Sequence, residues 1–314
     1  MKSRFTIGSR GSRLALWQAE WVKTALEAQH KYLAFDIQII TTSGDAMKDV
    51  PLMLIGGQGV FIKELEDALV KGRIDLAVHS LKDLPTIIPE GLLIAAITKR
   101  EDPRDALVLR QGSGFDIKSL AELAPALVVG TSSPRRLAQL KHSCRERVVK
   151  DLRGNLGTRL RKLDEGQYDA VVLAAAGLRR LGWADRISAY LDPAEMLPAV
   201  GQGSLGIETR LDDQETISIA QVLDHSETRA ACTAERSFLR GLGGGCQLPI
   251  AGHASLHAYE LRLDGLVATI DGGTVIRDAI EGPAHDAEKL GNILAERLLE
   301  QGAASLMDLK VSAN

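Results

Sequence analysis

Strand-length apolar runs alternate with longer stretches of helical periodicity from the start of the chain. FTI at 5–7 is followed by LALWQAEWVKTALEA, FDIQII, VFIKELEDALVKG and IDLAVHS. Apolar positions three and four apart predict helices, and the short runs between them, rich in β-branched residues, predict strands. Ser12 stands where a side-chain cap opens the first helix, and Gly72 follows the last periodic residue of the second. Alternation of this kind predicts an α/β fold, a parallel sheet with helices on both faces.

The pattern breaks twice. TKREDPRD at 98–105 is charged and poor in apolar residues, so it predicts a crossing between domains rather than a core element. ALVVGTSS, RRLAQLKH, RVVKDL, NLGTRLRKLDEG and YDAVVLAAAG then restart the alternation, until Pro193, Pro198, Gly201 and Gly203 interrupt it again. From about residue 225 one helix, TRAACTAERSFLRGL, leads into short strands separated by turns and a last helix, AHDAEKLGNILAERLLEQG. The last part predicts a small α+β domain with an antiparallel sheet. The expected division is residues 1–99 with 202–221, then 104–197, then 225–314.

Composition narrows the class. A chain of 314 residues with 45% hydrophobic and 25% charged positions is globular and long enough for two or three cores. Aromatic residues make up only 4% and the net charge is −3, which argues against general binding of nucleic acid or anionic membranes. No stretch is long and uncharged enough to span a bilayer, and the N-terminus shows no signal-peptide run. Cysteines at 144, 232 and 246 have neither paired spacing nor an even count, so a reducing cytoplasm and free thiols are expected.

Three constellations carry candidate chemistry. In ERSFLRGLGGGCQLPIAG, Cys246 follows three glycines at the end of a helix, which suits an accessible thiol on a turned loop; the alternative is a small buried hydrophobe. Cys144 and Cys232 lie in helical patterns and are expected to be structural. In IDLAVHSLKDLP a strand runs into a polar turn carrying His79, Ser80, Lys82 and Asp83, where open α/β sheets bind ligands. Asp83 is the candidate acid, with a turn-capping role as its alternative, and His79 is expected to be structural. The third constellation is cationic: Arg10 in SRGS, Arg135 and Arg136 in GTSSPRR, Arg153 and Arg159 in LRGNLGTRL, and Arg180 in GLRR. Guanidinium forks at strand ends bind carboxylates, although solvated pairs are the commoner fate of arginine, above all for Arg161 and Arg180. Ser12, Thr131, Ser132, Ser133 and Asn155 would add neutral donors. The glycine-rich turns GGQGVF and PAVGQGSLGIE lack the spacing of nucleotide loops.

These segments, in this order, resemble the porphobilinogen deaminase family over nearly the whole chain. The resemblance implies two periplasmic-binding-protein-like α/β domains with a cleft between them and a small α+β domain carrying the cysteine loop. It implies a dipyrromethane cofactor attached through Cys246, and stepwise head-to-tail condensation of four porphobilinogen units onto it with release of ammonia. Hydrolysis then frees hydroxymethylbilane for tetrapyrrole biosynthesis. Asp83 would be catalytic. Ser80, Lys82, Asp83, Thr131, Ser132, Ser133, Arg135, Arg136, Arg153, Gly154, Gln202 and Gly203 would bind the cofactor with Cys246, and Arg10, Ser12, Arg153, Asn155, Arg159 and Arg180 the substrate. No metal and no nicotinamide is implied, and a cytoplasmic monomer whose partner is the small-molecule substrate, with no nucleic acid or membrane, is expected. Gln58 stands where many relatives carry Lys, Arg13 replaces a common Pro, and Leu248 and Ala251 are small departures in the cysteine loop.

Two other functions fit parts of the pattern. A two-lobed solute-binding or sensing module would need neither Asp83 nor Cys246. A cysteine hydrolase would need a histidine near Cys246, and His253 and His257 follow inside a strand pattern rather than on a separate element.

Overall fold

The structure is a computed structural model that describes residues 2–42, 62–245 and 248–307. The chain divides into two compact units, residues 1–101 with 203–229, and residues 102–202 with 230–314. Of the three crossings, those after residues 101 and 202 fall where the apolar pattern breaks, and the one after residue 229 lies within the helix Ser226–Gly241. Among the described residues no helix is long and apolar enough to cross a membrane.

In the first unit, strands β1 (Arg4–Ser9), β2 (Ala34–Ile39), β3 (Leu76–Ser80), β4 (Leu92–Ile97) and β10 (Leu205–Arg210) form one sheet in the order β2-β1-β3-β10-β4. Helix α1 (Arg13–Gln29) opens at Ser12, whose side chain accepts from the Ala15 amide at 3.2 Å. It buries Gln18, Ala19, Val22 and Leu26, one stripe at helical spacing, against Phe5, Ile7, Phe35 and Leu76. Helix α2 (Lys63–Val70) packs Leu65, Ala68 and Leu69 with Ile74 and Ala77 in a separate core, and Gly72 follows it at φ +65°. The residues just before α2, Val60 and Phe61, lie outside the described part.

The sheet is parallel over β2, β1 and β3, as expected from the sequence, but β10 runs antiparallel to both β3 and β4. The chain re-enters this unit beside the end of β3, where the Leu81 amide donates to the Ser204 carbonyl at 3.0 Å, so the next strand must run back along β3. That entry turns on Gly203, with φ +94° and a Cβ position standing against the Glu101 carbonyl oxygen. Gly203→Ala is therefore expected to lose about 1–3 kcal/mol of stability, measured by urea unfolding; an unchanged midpoint would show that the entry can relax.

The second unit repeats the arrangement. Strands β5 (Asp105–Leu109), β6 (Val129–Gly130), β7 (Val149–Lys150), β8 (Ala170–Ala174) and β9 (Ala189–Tyr190) lie in the order β7-β6-β8-β5-β9, with β5 antiparallel to β8 and β9. Helices α3 (Pro134–Ser143) and α4 (Leu156–Asp164) connect the parallel strands. The apolar run 170–177 does not stay a strand throughout: after Ala174 it becomes α5 (Ala175–Arg180). In both sheets the first strand of the parallel trio lies between the other two, so the connections leave it in opposite directions. That switch point is where open α/β sheets bind ligands.

The remainder of this unit is α+β, as expected. Strands β11 (Ile250–His257), β12 (Glu260–Ala268) and β13 (Val275–Pro283) pair antiparallel in sequence order. They share a core with α7 (Ser226–Gly241), α8 (Ala287–Glu300) and α9 (Ala303–Met307), centred on Phe238, Leu263, Leu294 and Leu298. The turn between β12 and β13 seats on α3: His142 Nδ1 lies 3.1 Å from the Gly272 carbonyl oxygen. A Cβ on Gly272 would come within 2.5 Å of the Ala138 carbonyl oxygen. The remaining helix of the first unit, α6 (Gln214–Gln221), is capped by Asp213.

Candidate functional site

Because β1 and β3 are parallel neighbours, the segments that follow them emerge at the same sheet edge. After β1 come Arg10, half-buried, and Ser12. After β3 comes a 3-10 turn, Leu81–Asp83. Leu81 and Leu84 are buried against Gly206, whose missing side chain makes room for them: a Cβ there would sit 3.1 Å and 3.0 Å from their methyl carbons. With both leucines inward, Asp83 is exposed, and among the described residues its carboxylate has no hydrogen-bond or ion partner. A capping aspartate would show such a bond. Lys82 is half-buried, and Ser80 accepts from the Gln18 amide at 2.9 Å, which ties the turn to α1.

Beneath the turn lies a buried ionisable group of three elements. His79 Nε2 is 3.1 Å from Glu208 Oε2, with both side chains nearly inaccessible, so His79 serves the packing of β3 on β10, as the sequence suggests. Glu66 of α2 titrates above the ordinary carboxylate range, first because of burial and then because of the nearby Glu208 charge, against a smaller opposing effect of His79. A carboxyl whose folded pKa is raised binds its proton more tightly when folded, so its contribution to stability is present at low pH and is lost as pH rises through the folded value. Glu66→Gln is therefore expected to raise Tm at pH 8, with the gain vanishing below about pH 4 where the unfolded carboxyl also protonates. A gain that persists into acid would refute the electrostatic origin.

In the second unit the parallel trio β7-β6-β8 ends at one edge, and β5 begins there because Asp105 pairs with Ala174. Thr131 is buried and accepts from the Ser133 amide at 3.2 Å, Ser132 donates to the Leu152 carbonyl at 2.9 Å, and Ser133 caps α3. Arg135 and Arg136 occupy the first turn of that helix, each 5% exposed. Both meet Asp105, Arg135 Nη1 at 2.7 Å and Arg136 Nη2 at 2.8 Å. Burial alone would raise the Asp105 pKa, yet the two guanidiniums hold it well below the usual range. Gln202 Nε2 also donates to Asp105, at 2.9 Å, and to the Pro103 carbonyl at 2.7 Å. Asp105 thus organises the cationic cluster, although its segment reads from sequence as a mere crossing.

After β7 the chain turns at Gly154, φ +112°, where any Cβ would strike Thr158. Asn155 then caps α4, accepting from the Thr158 amide at 3.0 Å. Arg153 is half-buried, and its guanidinium has no partner among the described residues. Arg159 Nε donates to the Gly154 carbonyl at 2.8 Å. Arg161 pairs with Glu165 at 2.6 Å, the solvated pair expected of it, and Arg180 ends α5, half-buried.

Two further side chains brace this edge without any sequence signal for a role. Gln139 of α3 holds both backbone groups of Leu197, and Glu235 of α7, fully buried, accepts from the Gly201 and Ala254 amides at 2.7 Å each. Cys232 is buried in α7, and Cys144 follows α3 half-buried with Sγ 3.6 Å from Glu146. Cys246 and Gln58 lie outside the described residues. Among the described residues no cluster could hold a metal ion.

The family model described as porphobilinogen deaminase, dipyromethane cofactor binding domain, matches residues 5–218, and that of the porphobilinogen deaminase C-terminal domain matches residues 229–300. A porphobilinogen deaminase of Gloeobacter violaceus is 51% identical over 310 residues, which cover 98% of this chain and 94% of that protein. One from a Nostoc species is 50% identical over 302 residues, 96% of this chain and 93% of its own. Among solved structures, an ancestral arginine-binding protein bound to arginine superposes with a TM-score of 0.38 at 17% identity, covering 71% of this chain and 91% of its own.

Proposed function

The chain belongs to the porphobilinogen deaminase family, and from that membership we propose how its own residues carry out the transferase reaction. The enzyme condenses four porphobilinogen units head to tail, releasing ammonia at each step and finally hydroxymethylbilane, for tetrapyrrole biosynthesis. Its cofactor is dipyrromethane, which when bound would supply the pyrrole carbon that accepts the first unit of the chain.

The second unit suits that group on charge. Each pyrrole ring carries an acetate and a propionate, and the edge at Thr131–Arg136 and Arg153–Asn155 offers guanidiniums, hydroxyls and backbone amides. Among the described residues, Nε and Nη2 of Arg135 have no protein partner. We assign the cofactor to Thr131, Ser132, Ser133, Arg135, Arg136, Arg153, Gly154, Gln202 and Gly203, with Ser80 and Lys82 of the first unit and covalent attachment at Cys246. Arg10, Ser12, Arg153, Asn155, Arg159 and Arg180 bind substrate carboxylates.

Asp83 carries the chemistry, and its exposed carboxylate, without a partner among the described residues, is the observation on which the assignment rests. As porphobilinogen loses ammonia, positive charge develops on its pyrrole. A carboxylate that no cation among the described residues neutralises opposes that charge, and one of its oxygens can hold the departing amine and then receive the ring proton. The protein acts as a cytoplasmic monomer on a small molecule, without nucleic acid or membrane, and residues 225–314 form a separate third domain, in keeping with a second family match that begins at residue 229. Intact-mass spectrometry of the purified protein tests the reading. The expected mass exceeds that of the bare chain by one dipyrromethane, and an unmodified chain that still consumes porphobilinogen would overturn it.

A further inference from the structure

The cationic edge of the second unit is held by a residue that is itself too deeply buried to bind anything else. Asp105 opens β5, is fully buried, and touches Arg135, Arg136 and Gln202 at once. Arg136 is fixed further by its bond to the Val172 carbonyl at 3.0 Å, and Arg135 by its bond to the Leu197 carbonyl at 2.7 Å. Two guanidiniums against one carboxylate leave a positive charge uncompensated, and among the described residues no second carboxylate touches either arginine. Arginine does not give up its proton, so the imbalance cannot be relieved by titration. A buried charge without a counter-charge is unfavourable, and the cluster is complete only when an anion joins it.

We propose that Asp105 is a positioning residue: by holding the Arg135 and Arg136 side chains apart and oriented, and by neutralising one of them, it presents a single net positive charge to one carboxylate of the dipyrromethane. The proposal rests on the cofactor reading above. Its chemistry is local. Without the Asp105 charge, two buried guanidiniums on adjacent residues repel each other, and the site selects neither a geometry nor a charge for its ligand. Gln202 is the neutral third arm, donating to the same oxygen that Arg136 contacts while tethered to the Pro103 carbonyl.

Three variants test it, with intact mass as the measure of cofactor loading and Cys246→Ser as the cofactor-free standard of folding. Asp105→Asn keeps the shape and removes the charge. It is expected to purify at least about tenfold less loaded than the parent, with a circular-dichroism spectrum like that of Cys246→Ser and a lower Tm, because two buried guanidiniums lose their counter-charge. Asp105→Glu restores the charge and is expected to recover loading. A fully loaded Asp105→Asn with unchanged KM for porphobilinogen, or an Asp105→Glu no better loaded than the Asn variant, would overturn the proposal. Should Asp105→Asn fail to fold, Gln202→Leu decides, because it removes one arm and uncovers no charge. A several-fold rise in KM or fall in loading supports the proposal, and parent-like values reject it. Loaded parent protein beside an equally loaded Asp105→Asn defeats only this inference, whereas an unloaded, active parent defeats the cofactor reading itself.

Discussion

Asp83→Asn is expected to reduce kcat by about 10²–10³-fold or more while leaving the cofactor mass and the Tm unchanged. The two halves of that expectation come from different observations. The Asp83 side chain is exposed and makes no hydrogen bond or ion pair among the described residues, so the fold does not depend on its charge. The turn is held instead by Leu81 and Leu84 against Gly206, and by the Leu81 amide on Ser204. Asparagine keeps the shape and one acceptor oxygen but cannot oppose a developing cation electrostatically, nor take up a proton. Loss of turnover with an intact fold and intact loading therefore isolates the charge. Steady-state kinetics beside intact mass and thermal unfolding give the three readouts. Near-normal turnover would show that another group stabilises the cation, and a collapsed Tm would show that the turn depends on the carboxylate after all.

The sequence reaches the fold through its local rules. The cap at Ser12, the stop at Gly72 and the helix–strand alternation all describe interactions within a few residues, and the structure contains each of them. It does not reach β10, because that strand's direction depends on where the chain re-enters the first unit, a property of the path from residue 102 to residue 202. The same distinction governs the site. A turn such as LKDLP announces itself, since polar residues following a strand of apolar ones mark the loop edge of a sheet. Asp105 does not. It stands in a charged segment whose composition suggests solvent, and only the unbroken apolar run ALVL just after it hints that the segment opens a buried strand. Its two arginine partners lie on a different strand–helix junction, about thirty residues away. Buried charge pairs formed between distant segments carry no local pattern, which is also why Glu235 and Gln139, both bonded to backbone groups of distant segments, escape a reading of the sequence.

The second large effect belongs to the thiol. Cys246→Ser is expected to yield a folded chain at its bare calculated mass with porphobilinogen turnover at background, while Cys144→Ser keeps both the added mass and the activity. The reason lies in the attacking atom. A stable bond to the methylene of a pyrrole needs a soft nucleophile that is partly ionised near neutral pH, and cysteine satisfies this where the serine hydroxyl does not. The other two thiols are poorly suited for geometric reasons: Cys232 is wholly buried within α7, and Cys144 is half-buried with its Sγ directed at Glu146 Oε2, 3.6 Å away. Among the described residues near position 246, the Leu248 amide donates to the Gly245 carbonyl at 3.1 Å and Gly244 lies close to Ile250. A serine at position 246 changes one atom of the chain, so the Tm of the variant should match that of parent protein prepared without cofactor. Mass retained in Cys246→Ser but lost in Cys144→Ser or Cys232→Ser would move the attachment to another thiol. Loss of activity in Cys246→Ser with the added mass still present would separate attachment from catalysis and leave Cys246 a different task.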